Sequence, residues 1–146
     1  MPKEMQNTRN DEFTLNIDLT PTMLGAAGIP IPKSMQGRDM APLYLHSKTE
    51  SEKVRSSWRK EFYYEWFHSP SPLREFLPAS LALVRKNLKY VLWPEFGHEE
   101  LFELEKDPYE EENVFNASLQ SSPDFLKEIK GRFQQLKEIA ESGVKI

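Results

Sequence analysis

Residues 100–113 read ELFELEKDPYEEEN, and the rest of the chain is organised around this stretch. From 100 to 105 the residues alternate, with Leu101, Glu103 and Glu105 on one side and Phe102 and Leu104 on the other. A period of two is the pattern of a β-strand with an apolar face. Asp107-Pro108-Tyr109-Glu110 then puts a carboxylate at a helix N-cap position, Pro at the first helical position and Glu at the third. In that arrangement Asp107 accepts from an amide of the first turn, and Glu110 reaches back to the cap amide. The stretch therefore predicts a strand, a capped helical turn and the approach to a long helix. Earlier residues build the sheet and later ones cover it.

Working back from this strand, three more candidates precede it. Residues 61–67, EFYYEWF, are dense in aromatics and favour a pleated surface. Residues 80–85 alternate, with Leu81, Leu83 and Arg85 opposed to Ala82 and Val84, and residues 90–93 return as a third strand. SPSPLREFLP, residues 69–78, is a loop because its prolines break any ladder, and Asn87 suits a positive-φ turn. Short strands joined by short turns predict an antiparallel meander. Working forward, Ser122-Pro123-Asp124 opens a final helix, and Leu126, Ile129, Phe133, Leu136 and Ala140 repeat at helical spacing until Gly143. The predicted class is α+β: an antiparallel sheet of about four strands with a long C-terminal helix packed on one face.

The N-terminal third reads differently. Residues 1–12 are polar, and Phe13, Leu15 and Ile17 alternate as a short strand candidate. Asp18 to Thr22 reads as a helix entrance, Met23, Leu24 and Ala27 as its buried stripe, and Gly28 as the left-handed residue that ends it. Residues 35–39 suit a turn with Gly37 at positive φ, and Leu43 to Leu45 form a small apolar island. The polar run HSKTESEKVRSS, residues 46–57, reads as a boundary between two structural units.

Composition excludes several function classes. The 19 basic and 23 acidic residues give a net charge of -4 with no Lys/Arg run, so no nucleic-acid footprint is visible. No window is apolar and long enough to cross a bilayer, and the polar first dozen residues carry no export signal. The absence of cysteine rules out disulfides, thiolate metal sites and a Cys nucleophile within this sequence.

The order of motifs resembles the C-terminal part of type I sulfatases, including the arylsulfatase and heparan N-sulfatase-like branch. The residues that carry it are Asn16 to Thr22, Ala27-Gly28-Ile29, Pro32, Met35 to Arg38, Trp58-Arg59 and Phe62 to Glu65. Leu83 to Arg85, Lys89 to Val91, residues 100–104, Asp107 to Glu110 and Asn113 complete it, so the resemblance spans roughly residues 13–140. It implies that residues 1–50 end the α/β catalytic domain, short helix included, and that 51–146 form the C-terminal subdomain. It also implies a parent enzyme that hydrolyses sulfuric esters with a formylglycine, made from Cys or Ser in a Cys/Ser-x-Pro-Ser/Ala-Arg motif, and a bound calcium that polarises the sulfate. Both would lie upstream. Ser69-Pro70-Ser71-Pro72-Leu73-Arg74 is out of register with that motif. The implied partners are the N-terminal catalytic domain and, for the parent, a sulfated ester or sugar, with neither nucleic acid nor membrane involved. An exported parent, periplasmic, secreted or lysosomal, is implied as well.

No residue of this chain is assigned to catalysis or to a metal. His46, His68 and His98 show no ligand spacing, and Glu110-Glu111-Glu112 lacks the alternating oxygens and glycine of a calcium loop. Trp66, His68 and Arg85 are the candidates for the rim of the substrate cleft. Arg85 either meets an anionic substrate or pairs with a strand carboxylate, and His68 reads more readily as an exposed loop residue than as part of the cleft. The aromatics of residues 62–67 read as a sugar-stacking platform or as strand core, and Asn116-Ala117-Ser118 is a glycosylation sequon. Two readings of function follow. The first is a sulfatase C-terminal segment that completes the fold and the cleft rim, with apolar surface exposed around Met23 and either dye binding or self-association. The alternative is a stand-alone non-catalytic binding or assembly module derived from a sulfatase.

Overall fold

Four strands form in chain order: β1 (Glu61–Trp66), β2 (Ser80–Arg85), β3 (Lys89–Trp93) and β4 (His98–Phe102). Each pairs antiparallel with its sequence neighbour, giving the sheet order β1-β2-β3-β4. The computed structural model describes residues 3, 9–45, 48–67 and 78–143. Among the described residues four α-helices accompany the sheet: α1 (Leu19–Ala26), α2 (Lys48–Ser57), α3 (Phe115–Ser121) and α4 (Pro123–Ser142). The chain divides into two compact units, Met1–Lys60 with Glu141–Ile146, and Glu61–Ala140. The second unit is the α+β meander with a long helix on one face.

Register explains its core. Tyr63 lies opposite Leu83, Leu83 opposite Tyr90 and Tyr90 opposite Leu101, so these side chains share one sheet face. The apolar stripe of α4, Leu126, Ile129, Phe133 and Leu136, closes on that face, and all four are buried. Phe133 meets the Tyr90 ring edge-on at 5.2 Å and the Tyr63 ring at 5.8 Å. Burying each such Leu, Ile or Phe contributes roughly 1.5–3 kcal/mol, which makes this seam the main source of the unit's stability. Gly143, at φ +68, ends α4 as expected.

Where Asp107 was expected to cap a helix, the chain turns without forming one. The Asp107 carboxylate accepts the backbone N–H groups of Glu111 and Glu112, at 3.0 and 2.9 Å. Glu110 adopts φ +59, the left-handed region, which a continuing helix cannot use. Its side chain takes Lys89 rather than the cap amide. The helix begins only at Phe115, eight residues after Asp107, as α3, which no periodicity announced. Asn113 joins this segment to the sheet: its side chain accepts the Leu101 N–H at 3.0 Å and donates to the Glu99 carbonyl at 3.3 Å. Asn87 turns between β2 and β3 without a positive φ, since Glu110 is the only non-glycine with one among the described residues.

The first unit contains α1 and α2. Residues 13–17 do not form the expected strand; the chain passes into a 3-10 turn at Asn16–Asp18 and directly into α1. Gly28, at φ +69, closes α1, with the Ile29 N–H donating to the Leu24 carbonyl. Met23 is 64% exposed and Leu24 half-buried, so within this chain the helix leaves apolar surface around Met23 uncovered. Gly37 needs no positive φ. It is required for close approach, since a Cβ there would stand 2.0 Å from the Ile17 carbonyl oxygen. The polar run expected as a boundary folds as α2 from Lys48 onward. Lys, Glu and Arg are good helix formers, and the buried Ser51 hydroxyl donates to the Pro42 carbonyl.

Candidate functional site

The second face of the sheet is the candidate site. Phe62, Tyr64 and Trp66 alternate with the core-facing residues of β1 and lie opposite Val84, Ala82 and Ser80. Ala82 faces Val91, and Lys89 faces Phe102 on the same side. Ala82, Val91 and Phe102 form a small buried cluster with Val84, Trp93 and Leu104 packed against it. Over it lies an open groove of about 650 Å³, lined entirely by residues of the second unit. Its floor is apolar and its polar groups stand at the rim.

Those rim groups are paired with one another. Lys89 Nζ lies 2.6 Å from Glu110 Oε2, and the Trp93 indole N–H donates to Glu100 Oε2 at 2.9 Å. His98 Nε2 lies 3.4 Å from the other Glu100 oxygen. Asp107 fixes the loop that delivers Glu110. The N–H groups of Glu111 and Glu112 hold the Asp107 carboxyl below its ordinary range.

Of the sequence-predicted rim residues, Trp66 lies on this face, at the end of β1 and 42% exposed. Arg85 lies on the opposite, helix-covered face. Its Nε donates to Glu61 at 2.8 Å, and Nη1 lies 3.5 Å from Glu128. The sheet therefore does not bring Trp66 and Arg85 together. His68 and residues 69–77 fall outside the described residues. The aromatic run divides by alternation, with Tyr63 in the core and Tyr64 and Trp66 outward. Lys89, Trp93, Glu100 and Glu110 were not proposed as site residues from the sequence. Their common face becomes visible only once the β3–β4 register is known.

A second polar node sits in the first unit. Asp18 is fully buried and accepts from the backbone N–H groups of Leu15 and Arg38, both at 2.8 Å, and from the Arg59 guanidinium. Burial alone would raise its carboxyl; Arg59 and the two backbone donors outweigh that and hold it below the ordinary range. Arg38 and Arg59 both lie over the Trp58 ring, at 5.7 and 5.2 Å. The Trp58 indole donates to the Phe13 carbonyl at 2.7 Å. Among the described residues no three His, Asp or Glu side chains gather where they would hold a metal ion, so calcium finds no fit in them.

A family model described as N-sulphoglucosamine sulphohydrolase, C-terminal, matches residues 1–139. The N-acetylglucosamine-6-O-sulfatase of Bacteroides thetaiotaomicron is 24% identical over 140 residues, covering 94% of this chain and 23% of that protein. The arylsulfatase of Clostridium perfringens is 31% identical over 120 residues, 82% of this chain and 22% of that one. A structure solved in complex with its substrate, D-glucosamine-2-N,6-O-disulfate, superposes with a TM-score of 0.62 at 21% identity. It covers 86% of this chain and 24% of that one. The chain thus spans about a quarter of the length of these relatives.

Proposed function

We infer the role of this chain from one premise: it belongs to the N-sulphoglucosamine sulphohydrolase C-terminal family. Its function is to complete the C-terminal end of a sulfuric ester hydrolase and to shape the rim of the cleft that receives a sulfated ester or sulfated sugar. The observation that carries this is the family match over residues 1–139, within which the meander and its covering helix fall. Residues 1–50 then end the α/β catalytic domain, and residues 51–146 form the C-terminal subdomain. Exposed Leu19, Met23 and Ile29 on and just after α1 support the first assignment, because they give the helix apolar surface with which to meet the preceding polypeptide.

Trp66, His68 and Arg85 are proposed for the rim. Trp66 offers an outward aromatic face, and Arg85 is held in place by Glu61. Calcium and the formylglycine belong, on this reading, to the catalytic domain, where they would supply a Lewis acid and a nucleophile. No step of that chemistry is assigned to residues of this chain. The test has two arms. An in-frame Cys/Ser-x-Pro-Ser/Ala-Arg motif in the coding DNA upstream of Met1 is expected, and a stop codon close before Met1 would leave a free-standing binding module. The 146-residue chain is expected to leave an aryl sulfate intact in the presence of calcium, and hydrolysis would overturn the reading.

A further inference from the structure

We propose that the sheet face opposite α4 receives a second amphipathic helix with basic flanks, contributed by the polypeptide that precedes this segment. The proposal rests on the sulfatase reading and goes beyond it by naming what the preceding domain presents here. Its pattern is already realised on the other face. There α4 lays an apolar stripe over Leu83, Tyr90 and Leu101, and its cations meet strand carboxylates: Lys130 pairs with Glu99 at 2.7 Å, and Arg132 with Glu61.

The open face has the same make-up without its helix. The floor of Ala82, Val91 and Phe102 is apolar, and two carboxylates, Glu100 and Glu110, stand at the rim. Three inter-strand spacings of about 4.8 Å make this face roughly 14 Å wide, room for one helix about 10 Å across. A small polar ligand is disfavoured, because the Lys89 ammonium and the Trp93 N–H are already spent on Glu110 and Glu100. Glu100 keeps acceptor capacity beyond the Trp93 bond and the His98 ring 3.4 Å away, as a carboxylate takes several donors, and this suits an incoming Lys or Arg. A second copy of the chain fits less well. A two-fold pairing would bring the same patch of both copies, with its Glu100 and Glu110 carboxylates, into one interface. Length supplies the source, since this chain covers 23% of the Bacteroides thetaiotaomicron relative.

The test uses the 146-residue chain and two labelled peptides of about five helical turns, one patterned Leu/Lys and one Leu/Glu, read by fluorescence anisotropy. The Leu/Lys peptide is expected to bind one to one, and the Leu/Glu peptide at least tenfold more weakly. Val84→Glu is expected to weaken Leu/Lys binding at least tenfold, although it makes the chain more acidic and would strengthen non-specific attraction to Lys. Glu100→Gln should weaken it several-fold, and Met23→Glu on α1 should leave it unchanged. If Val84→Glu unfolds the chain, Tyr64→Lys, at an exposed position of the same face, takes its place. Equal binding of both peptides, no binding of either, or binding indifferent to Val84 and Tyr64 overturns the proposal. A dimer that sedimentation shows to be dissolved by Val84→Glu also overturns it, in favour of a second copy. The coding sequence upstream of Met1 decides the sulfatase reading separately, so the two failures are distinguishable.

Discussion

Arg59 and Asp18, 41 positions apart, meet fork to fork, with Nη1 on Oδ2 and Nη2 on Oδ1, and the carboxylate is fully buried. The pair ties the entrance of α1 to the end of the first unit, and the backbone donors of Leu15 and Arg38 complete its bonding. Asp18→Asn leaves a guanidinium with a neutral partner in a mostly buried place. Removing one member of such a pair costs roughly 3–5 kcal/mol. A urea melt should show this loss, whereas Asp11→Asn, in the exposed Arg9 pair, should leave the midpoint unchanged. Equal midpoints for the two variants would mean that Asp18 is no keystone.

Acid sensitivity follows from three carboxyls. Burial raises Glu61, but Arg85 and Arg132 outweigh it; burial raises Glu99, but Lys130 and Tyr90 outweigh it. With Asp18, all three sit below their ordinary values when folded. A depressed carboxyl stabilises the fold fully above its unfolded pKa of about 4, and that contribution is lost as pH falls through the folded value. Glu61→Gln should therefore be less stable than the parent at pH 7. The gap between them should close as the buffer is taken below about pH 4. A gap that persists to the most acid buffer would exclude the ion pairs as its cause.

Two glycines should respond in opposite directions. Gly37→Ala forces a methyl into the Ile17 carbonyl, which backbone cannot vacate cheaply, so a loss above about 3 kcal/mol is expected. Gly131 lies within α4, and a Cβ there meets nothing within 4 Å. Gly131→Ala should stabilise by about 0.8–1 kcal/mol through helix propensity alone. Thermal melts of the two variants check both signs.

Glu110 separates strain from charge. Both Glu110→Gly and Glu110→Ala remove the partner of Lys89, but only alanine keeps a side chain at φ +59. The glycine variant should be the more stable by about 1–2 kcal/mol. Equal stability would show that the turn relaxes once the Lys89 contact is gone.

The meander and α4 were legible because their signals are local. Alternation in residues 80–85 and the stripe from Leu126 to Leu136 each report one face directed at one partner. α2 was hidden because a polar helix lacks an apolar stripe, and among its described residues the fully buried one is Ser51, which no hydropathy pattern marks. Asp107 misled for a different reason. A side chain that accepts successive N–H groups looks the same in sequence whether a helix or a loop supplies them, and the left-handed Glu110 decided the matter. The rim of the candidate site was illegible because Lys89, Glu100 and Glu110 come from three segments whose common side depends on register. Trp66 and Arg85 were singled out together from the sequence, and only the pairing of β1 with β2 reveals that they stand on opposite sides.

The outer margin of a sheet is ordinarily a template on which a stranger's strand can lay itself. At β4 that invitation is withdrawn. Asn113 presents an amide, C=O and N–H together, to Leu101 and Glu99, and the Val114 N–H donates to the Leu101 carbonyl at 2.9 Å. One side chain thereby imitates a short piece of backbone and uses the sites another polypeptide would need. Growth of this sheet into a fibril past β4 would first have to evict Asn113.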